Sequence, residues 1–316
     1  MELSLKQIAE LLARNDNFVI TAHIHPDGDS LGSMLALNSY LLSLEKNVQM
    51  ILDDDIPDLY KFLPGIQNIS KPTDKRVNAD LLIVLDASDV NRIGKVRAIV
   101  DAPIVNLDHH VSNVKFADYW YIDSQSAATG EIILQLLQLM QAKIDKAIAD
   151  CLYTAIATDC GFFRYANTSA STLRYAAYLL ECGVKPQEIS EHLETKPLSS
   201  ITTLVKVLET LEIYHHGQIA IITISTEILD TAENTEGFIN YPRNIEGVEI
   251  AIMFKLVESD TARISMRSKK ADVSKIALSF GGGGHMRAAG CTVKGNITDT
   301  KGKVIQAAIK QLTETV

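Results

Sequence analysis

The sequence predicts an α/β protein, with a mostly parallel sheet in a first domain and a mixed sheet in a smaller second one. Over roughly the first 165 residues, short apolar runs alternate with longer helical patterns, the signature of strands joined by covering helices. The run at 81–85 is apolar throughout, as expected of a strand buried on both faces. Beyond residue 211 the pattern changes to short strands separated by turn residues.

Taken in order, residues 3–12 read as an amphipathic helix with charges interspersed, unlike the layout of a signal peptide. Strand 18–22 leads through a loop into helix 31–44, followed by strands at 48–52, 81–85, 104–107 and 119–122. Helices follow at 130–141 and 144–158, the second with apolar residues at 144, 147, 148, 151, 152, 155 and 156. Helices are expected on both faces of this sheet. Residues 169–211 are helical in pattern, broken at Gly183, Pro186 and Pro197, and their later part reads as a connector. Strands at 212–215 and 218–225 flank a His-Gly turn. A hairpin joins 249–257 to 261–267 around Glu258-Ser259-Asp260, and helix 273–280 runs into four glycines. The domain expectation is 1–190 catalytic, 191–210 helical linker and 211–316 substrate-binding, with the active site in the cleft between domains.

Composition excludes several classes. A hydrophobic content of 47% supplies a core, while a net charge of −9 argues against coating nucleic acid by bulk electrostatics. An anionic substrate stays open if metals and a local basic patch attract it. The cysteines at 151, 160, 182 and 291 form no Cys-x-x-Cys pair and read as reduced packing residues. No stretch approaches ~18 consecutive apolar residues, so no membrane span is expected, and a reducing cytoplasm fits best.

Chemistry concentrates at the ends of the predicted strands. His23, His25, Asp27 and Asp29 follow the first strand, Asp86 ends another, Asp108-His109-His110 ends a third, and Asp159 lies just past helix 144–158. The crevice at the carboxyl ends of strands is where open α/β sheets bind ligands. A lone acid there is usually a cap or turn residue. Five carboxylates (27, 29, 86, 108, 159) with four of the eight histidines are different, because like charges at close range repel unless cations intervene. Imidazole and carboxylate without thiolate suit Mn²⁺ first, with Mg²⁺, Zn²⁺ or Co²⁺ as alternatives. Two such ions suit in-line displacement at phosphorus.

A second constellation lies downstream. Residues 263–287 hold six Lys or Arg (263, 267, 269, 270, 275, 287) against one acid, Asp272, a net +5 inside an acidic chain. Arg267 and the run Gly281–His285, including Gly282, Gly283 and Gly284, are the expected centre. Glycine backbone would cradle an anion there, and a following helix start would add its dipole. The spacing fits neither a Walker loop nor a dinucleotide fingerprint. Arg164 is a further candidate for a substrate phosphate, and Asn240, Tyr241 and Arg243 rank below it. Asp53-Asp54-Asp55 reads as a solvated strand-to-loop junction, His215-His216 as a turn, and Phe116, Tyr119, Trp120 and Tyr121 as core.

The motifs His-x-x-Pro-Asp-Gly-Asp-x-x-Gly-Ser at 23–33, Asp86, Asp108-His109-His110 with Asn113, and Thr158-Asp159-x-Gly161 together resemble the DHH phosphoesterase superfamily. Gly281-Gly282-Gly283-Gly284-His285-x-x-Ala288-Ala289-Gly290 is similar to the signature of its DHHA1 domain. The length resembles the subfamily of nano-RNases that degrade very short RNA and dephosphorylate 3′-phosphoadenosine 5′-phosphate (pAp). The resemblance implies one metal on His23, Asp27 and Asp86 and a second on Asp29, Asp86, His109 and Asp159, with Asp86 bridging. It implies that His110 sits beside the phosphate as an acid or charge stabiliser, and that Asp108 orients a neighbouring histidine. Asn113 and His285 fall on the substrate side, His25 outside the ligand set, and Cys160 where Thr is expected. The substrates implied are short oligoribonucleotides and nucleoside bisphosphates, with no membrane partner, and a homodimer is compatible. The rivals are a linear or cyclic dinucleotide phosphodiesterase, an inorganic pyrophosphatase, and a non-catalytic nucleotide sensor.

Overall fold

The structure, a computed structural model, describes residues 1–229, 235, 237–258 and 260–313. Ser259 of the expected hairpin turn lies outside them. The chain divides into two compact units, Met1–Thr195 and Lys196–Val316.

The first unit contains, in order, α1 (Leu5–Ala13), β1 (Asn17–Ala22), α2 (Gly28–Ser43), β2 (Asn47–Ile51), β3 (Ile69–Ser70), β4 (Leu81–Leu85), α3 (Val96–Ile99), β5 (Ile104–Asp108), β6 (Tyr119–Ile122), α4 (Thr129–Leu139), α5 (Lys146–Asp159), α6 (Ala170–Glu181) and α7 (Pro186–Glu194). Among the described residues its strands form one sheet, ordered β3-β2-β1-β4-β5-β6, and every pairing is parallel. The order reverses between β1 and β4, which makes their carboxyl ends the topological switch point.

Side chains alternate across this sheet. Phe18, Ile20, Ile83, Leu85, Val105 and Leu107 join the core beneath α1, α2, α4 and α5. Val19, Leu82, Val84 and Ile104 face the opposite core. That second face is covered by a 3-10 turn at Val90–Ile93, the single-turn α3 and loops. Helices lie on both faces, as expected, but the cover is one-sided in weight. The strands still read as apolar runs because both faces are dry.

Two glycines bring α2 against α5. A Cβ at Gly32 would lie 2.3 Å from the Cys151 carbonyl oxygen, and one at Gly28 would lie 2.3 Å from Thr158 Oγ1. No larger residue permits that approach. The start of α2 and the end of α5, which carry Asp29 and Asp159, meet because of it.

The second unit holds α8 (Leu198–Leu208), β7 (Glu212–Tyr214), β8 (Ile219–Ile224), α9 (Thr226–Leu229), α10 (Asn240–Arg243), β9 (Ile250–Glu258), β10 (Thr261–Ser268), α11 (Val273–Ser279), β11 (Gly283–His285), β12 (Ala288–Lys294) and α12 (Ile297–Thr313). Its sheet runs β11-β12-β10-β9-β8-β7 and is mixed: β8 and β9 are parallel, the other pairs antiparallel. The helix at the end of the expected connector, α8, buries Leu204 and Val207 in this unit's core, against Ile222, Ile224 and Met253. The opposite face, with Ile221, Ile252, Ile264 and Met266, packs with Val304 and Ala308 of α12.

Candidate metal centre and substrate platform

The switch point gathers side chains from five segments. His23 follows β1, Asp27 caps α2, and Asp29 occupies the first turn of that helix. Asp86 follows β4, His109 and His110 follow β5, and Asp159 ends α5. His23 Nε2 lies 3.6 Å from Asp27 Oδ1 and 3.3 Å from Asp86 Oδ2. His109 Nε2 lies 3.8 Å from Asp29 Oδ2, 3.6 Å from Asp86 Oδ1 and 3.5 Å from Asp159 Oδ2. Ligand atoms held at about 2.1 Å from one ion stand roughly 3.0–3.4 Å apart in octahedral or tetrahedral geometry. These spacings are close to that, and Asp86 offers one oxygen to each group.

Local structure fixes each donor. His23 Nδ1 is 2.8 Å from its neighbour's carbonyl, Ile24 O, and His109 Nδ1 is 3.3 Å from Ser126 O, which leaves both Nε2 atoms facing the acids. Asp27 is held by a reciprocal capping box with Ser30. Asp29 accepts from Thr129 N at 2.6 Å and Gly130 N at 2.8 Å, so it caps α4 although the two are a hundred residues apart. Thr129 Oγ1 donates to Asp86 Oδ1 at 3.0 Å. Asp86 itself has φ 56, a left-handed backbone that a non-glycine residue adopts at a cost of about 1–3 kcal/mol.

The electrostatics call for cations. Burial opposes protonation of His23, but Asp27 and Asp86 outweigh it and push its pKa up to about 10. Burial, followed by the charges of Asp86, Asp159 and Asp27, holds the Asp29 carboxyl well above the usual range. Burial and the neighbouring Asp86 and Asp27 lift Asp159 to about 6, against the pull of His109 and His110. Asp159 also lies at a helix C-terminus, where the dipole disfavours an anion. Protons on buried groups that ordinarily shed them at neutral pH do the work a divalent ion does better. Donor set, spacing and charge all fit metal ions.

His110 plays a different part. Its Nδ1 is 2.7 Å from Asp108 Oδ1, which also accepts the backbone N–H groups of His109 and His110. That engagement leaves Nε2 as the free ring nitrogen. The Asp108 hydrogen bond is the chief cause of a raised His110 pKa, with burial opposing. Asp108 is fully buried and positions the imidazole.

Other expected site residues are placed as follows. Asn113 turns inward: Nδ2 donates to Asp108 Oδ2 at 2.6 Å and Asn106 Oδ1 at 2.8 Å, while Oδ1 accepts from Lys115 N. Its Nδ2 also lies 3.3 Å from Ala87 O, so the amide is engaged within these loops. Arg164 is exposed, its Nε on Gly161 O at 2.8 Å. His25 points to solvent and pairs with Asp54, which also accepts the His25 N–H. Asp54 therefore braces the loop between β1 and α2, and Asp53 accepts from Lys95 N, a supporting role beyond that of a solvated junction. Cys160 is buried beside Asp159, and Phe116, Tyr119, Trp120 and Tyr121 are half-buried. His215 and His216 form the left-handed turn between β7 and β8. The sequence reading missed Asn106, Thr129 and Asn167; the last joins Asp159 O to Ala127 O, the residue two before α4.

In the second unit the glycine run passes from a turn at Gly281 into a short strand, not from a loop into a helix. Gly283–His285 pairs with Ala288–Gly290 of β12, so no helix dipole follows it. A Cβ at Gly282 would lie 2.2 Å from Gly290 O, and one at Gly284, whose φ is 137, 2.5 Å from Ala289 Cα. Close strand approach explains both glycines. Arg267 stands opposite Ala288, and Ala288 opposite His285. Directly opposed residues share a face, so Arg267 and His285 flank a small alanine about 10 Å apart, at two strand spacings. Arg263 lies on the same face, two pleats along. Arg243 of α10 reaches Ser268 O at 3.4 Å. A strand at the sheet edge with cations on β10, the next strand but one, is suited to an anion.

Residues 17–156 match the DHH family, N-terminal domain, and residues 218–316 match the DHHA1 domain. The chain is 32% identical to the bifunctional oligoribonuclease and PAP phosphatase NrnA of Thermus thermophilus, over 98% of this chain and 94% of that one. It is 25% identical to the Bacillus subtilis protein of the same name, over 91% and 92% of the two chains. The crystal structure of an exopolyphosphatase-related protein from Bacteroides fragilis superposes with a TM-score of 0.88 at 26% identity, covering 97% of this chain and 95% of that one. With both domains matched in order and the likeness extending over nearly its whole length, the chain belongs to the DHH family of phosphoesterases, with a DHHA1 domain as its second part.

Proposed function

We propose that this chain hydrolyses short oligoribonucleotides to 5′-mononucleotides and pAp to AMP and phosphate. The observation that carries the reading is the convergence of three interlocking groups, His23 with Asp27 and Asp86, Asp29 with His109 and Asp159, and Asp86 with His109 and His110, in each of which the ligand atoms lie within 4.8 Å of one another. The full-length likeness to proteins named for both activities supports it. In our reading His23, Asp27 and Asp86 hold one ion, and Asp29, Asp86, His109 and Asp159 a second, with Mn²⁺ preferred for this donor set. Such ions, when bound, acidify water and neutralise charge at phosphorus.

Both reactions break a bond between phosphorus and a ribose 3′-oxygen, so one acid serves both. His110, protonated at Nε2 and held through Nδ1 by Asp108, donates the proton that the departing 3′-oxygen needs. Arg267 and His285 hold a remote phosphate, which turns binding energy into orientation at the reacting centre. Four free thiols fit a cytoplasmic setting.

The test is turnover by the Mn²⁺-loaded chain on pAp, RNA of two to five nucleotides, cyclic di-AMP and pyrophosphate, with products identified. AMP plus phosphate from pAp and 5′-mononucleotides from short RNA are expected. Exclusive hydrolysis of pyrophosphate or of cyclic di-AMP, or nucleotide binding without turnover, overturns the proposal.

A further inference from the structure

Asn106 is a buried amide in the middle of an otherwise apolar strand, and every polar atom it has is engaged. It is fully inaccessible. Nδ2 donates to Val84 O at 3.1 Å and Ala87 O at 3.2 Å; Oδ1 accepts from Asn113 Nδ2 at 2.8 Å. The two carbonyls stand on either side of Asp86, the residue with the left-handed backbone. Asn113 in turn donates to Asp108, which holds His110. One side chain thus ties together the loop that carries Asp86 and the loop that carries the histidines.

We infer that Asn106 is a positioning residue for the reaction: it clamps the backbone around Asp86 so that this carboxylate faces both metal groups, and through Asn113 it sets the Asp108–His110 pair. The physical case has two parts. A left-handed aspartate relaxes toward ordinary backbone unless its neighbours over-determine it, and relaxation turns the carboxylate away. A buried amide, for its part, is tolerated in a dry strand only when its donors and acceptor are all met. Both conditions hold at Asn106. The backbone N–H of Asp86 adds a third anchor on Leu107 O at 3.0 Å.

The inference rests on the metal reading above, and its test separates the two. Asn106→Leu keeps the volume and removes the hydrogen bonds. Val105→Ala on the same strand faces the opposite core and serves as the purely structural control. Mn²⁺ binding to the metal-free full chain is followed by titration calorimetry, alongside melting temperature and kcat and KM for pAp. The expected result is at least a tenfold loss of Mn²⁺ affinity in Asn106→Leu, in line with supporting residues of metal sites. Val105→Ala melts lower but keeps wild-type affinity. Asn113→Ala lowers kcat through His110 while Mn²⁺ affinity stays within about threefold. Should Asn106→Leu fail to fold, Asn106→Ser is put through the same comparison. Equal Mn²⁺ affinity in the Asn106 variant and wild type overturns the inference. Absence of Mn²⁺ binding by the wild type overturns the metal reading itself.

Discussion

Replacing Gly32 with alanine tests whether helix packing sets the site. The new Cβ would sit 2.3 Å from the Cys151 carbonyl and 3.0 Å from Ala155 Cβ, against the 3.4 Å at which ordinary contact begins. Backbone carbonyls cannot swing aside, so α2 and α5 must part by about 1 Å at this level. Overpacking of this kind costs about 1–3 kcal/mol. Better helix propensity returns up to ~1 kcal/mol of it. With that returned in full the net is about 0–2 kcal/mol, which lowers Tm by up to roughly 8 °C for a unit of this size. Activity suffers more. Asp29 lies one turn before Gly32, and Asp159 lies one turn beyond Ala155, so the same displacement moves two proposed ligands apart. A misplacement of about 1 Å at a reacting centre costs on the order of 100-fold in rate. Calorimetric melting and kcat/KM on pAp read the two effects separately. A variant with wild-type Tm and activity would refute the reasoning.

Three further outcomes follow from the geometry. Asp108→Asn removes the charge that raises the His110 pKa, so the alkaline limb of the kcat profile moves to lower pH and kcat falls by roughly 100-fold, within the range of general acid catalysis; an unmoved limb contradicts the acid role. In the metal-free chain His23 has its pKa lifted to about 10, so its ion pairs stabilise the fold below the unfolded value of 6.5 and that stability fades as pH rises through about 10. A metal ion must displace this proton, so Mn²⁺ affinity should climb between pH 6 and 8 by about tenfold per unit for each proton released; calorimetry in buffers of different ionisation enthalpy would show the release, and a flat profile speaks against it. Arg267→Ala should raise KM for pAp by about 10–100-fold, the worth of one charge-assisted hydrogen bond, and leave Mn²⁺ affinity unchanged; a loss confined to kcat would remove Arg267 from the substrate platform.

Much of the first unit is legible in the sequence for one reason: parallel strands buried on both faces must be apolar at every position, so β4 appears as an unbroken run. Of the proposed metal donors, His23, Asp86 and His109 are legible because they follow strand ends, where the apolar run stops. What the sequence conceals is non-local. Asp29 looks like a helix-start residue of α2, and nothing near it announces that it also caps α4. Asn106 sits inside a strand where an amide reads as a blemish, and its role emerges once Val84, Ala87 and Asn113 surround it. The glycine run misleads for a physical reason. Glycine signals backbone freedom, but Gly282 and Gly284 serve close strand contact, which has no periodicity to read. The uneven helical cover also escapes the sequence, since a loop-covered face buries Val19, Leu82 and Val84 as completely as a helix does.

The most direct test of the account is the count and coupling of bound manganese. The metal-free chain titrated with Mn²⁺ should bind two ions per chain, with an electron paramagnetic resonance spectrum of spin-coupled neighbours. Asp86→Ala should abolish that coupling together with turnover. A wild-type chain that binds one ion or none, or two that do not couple, would contradict the shared role of Asp86.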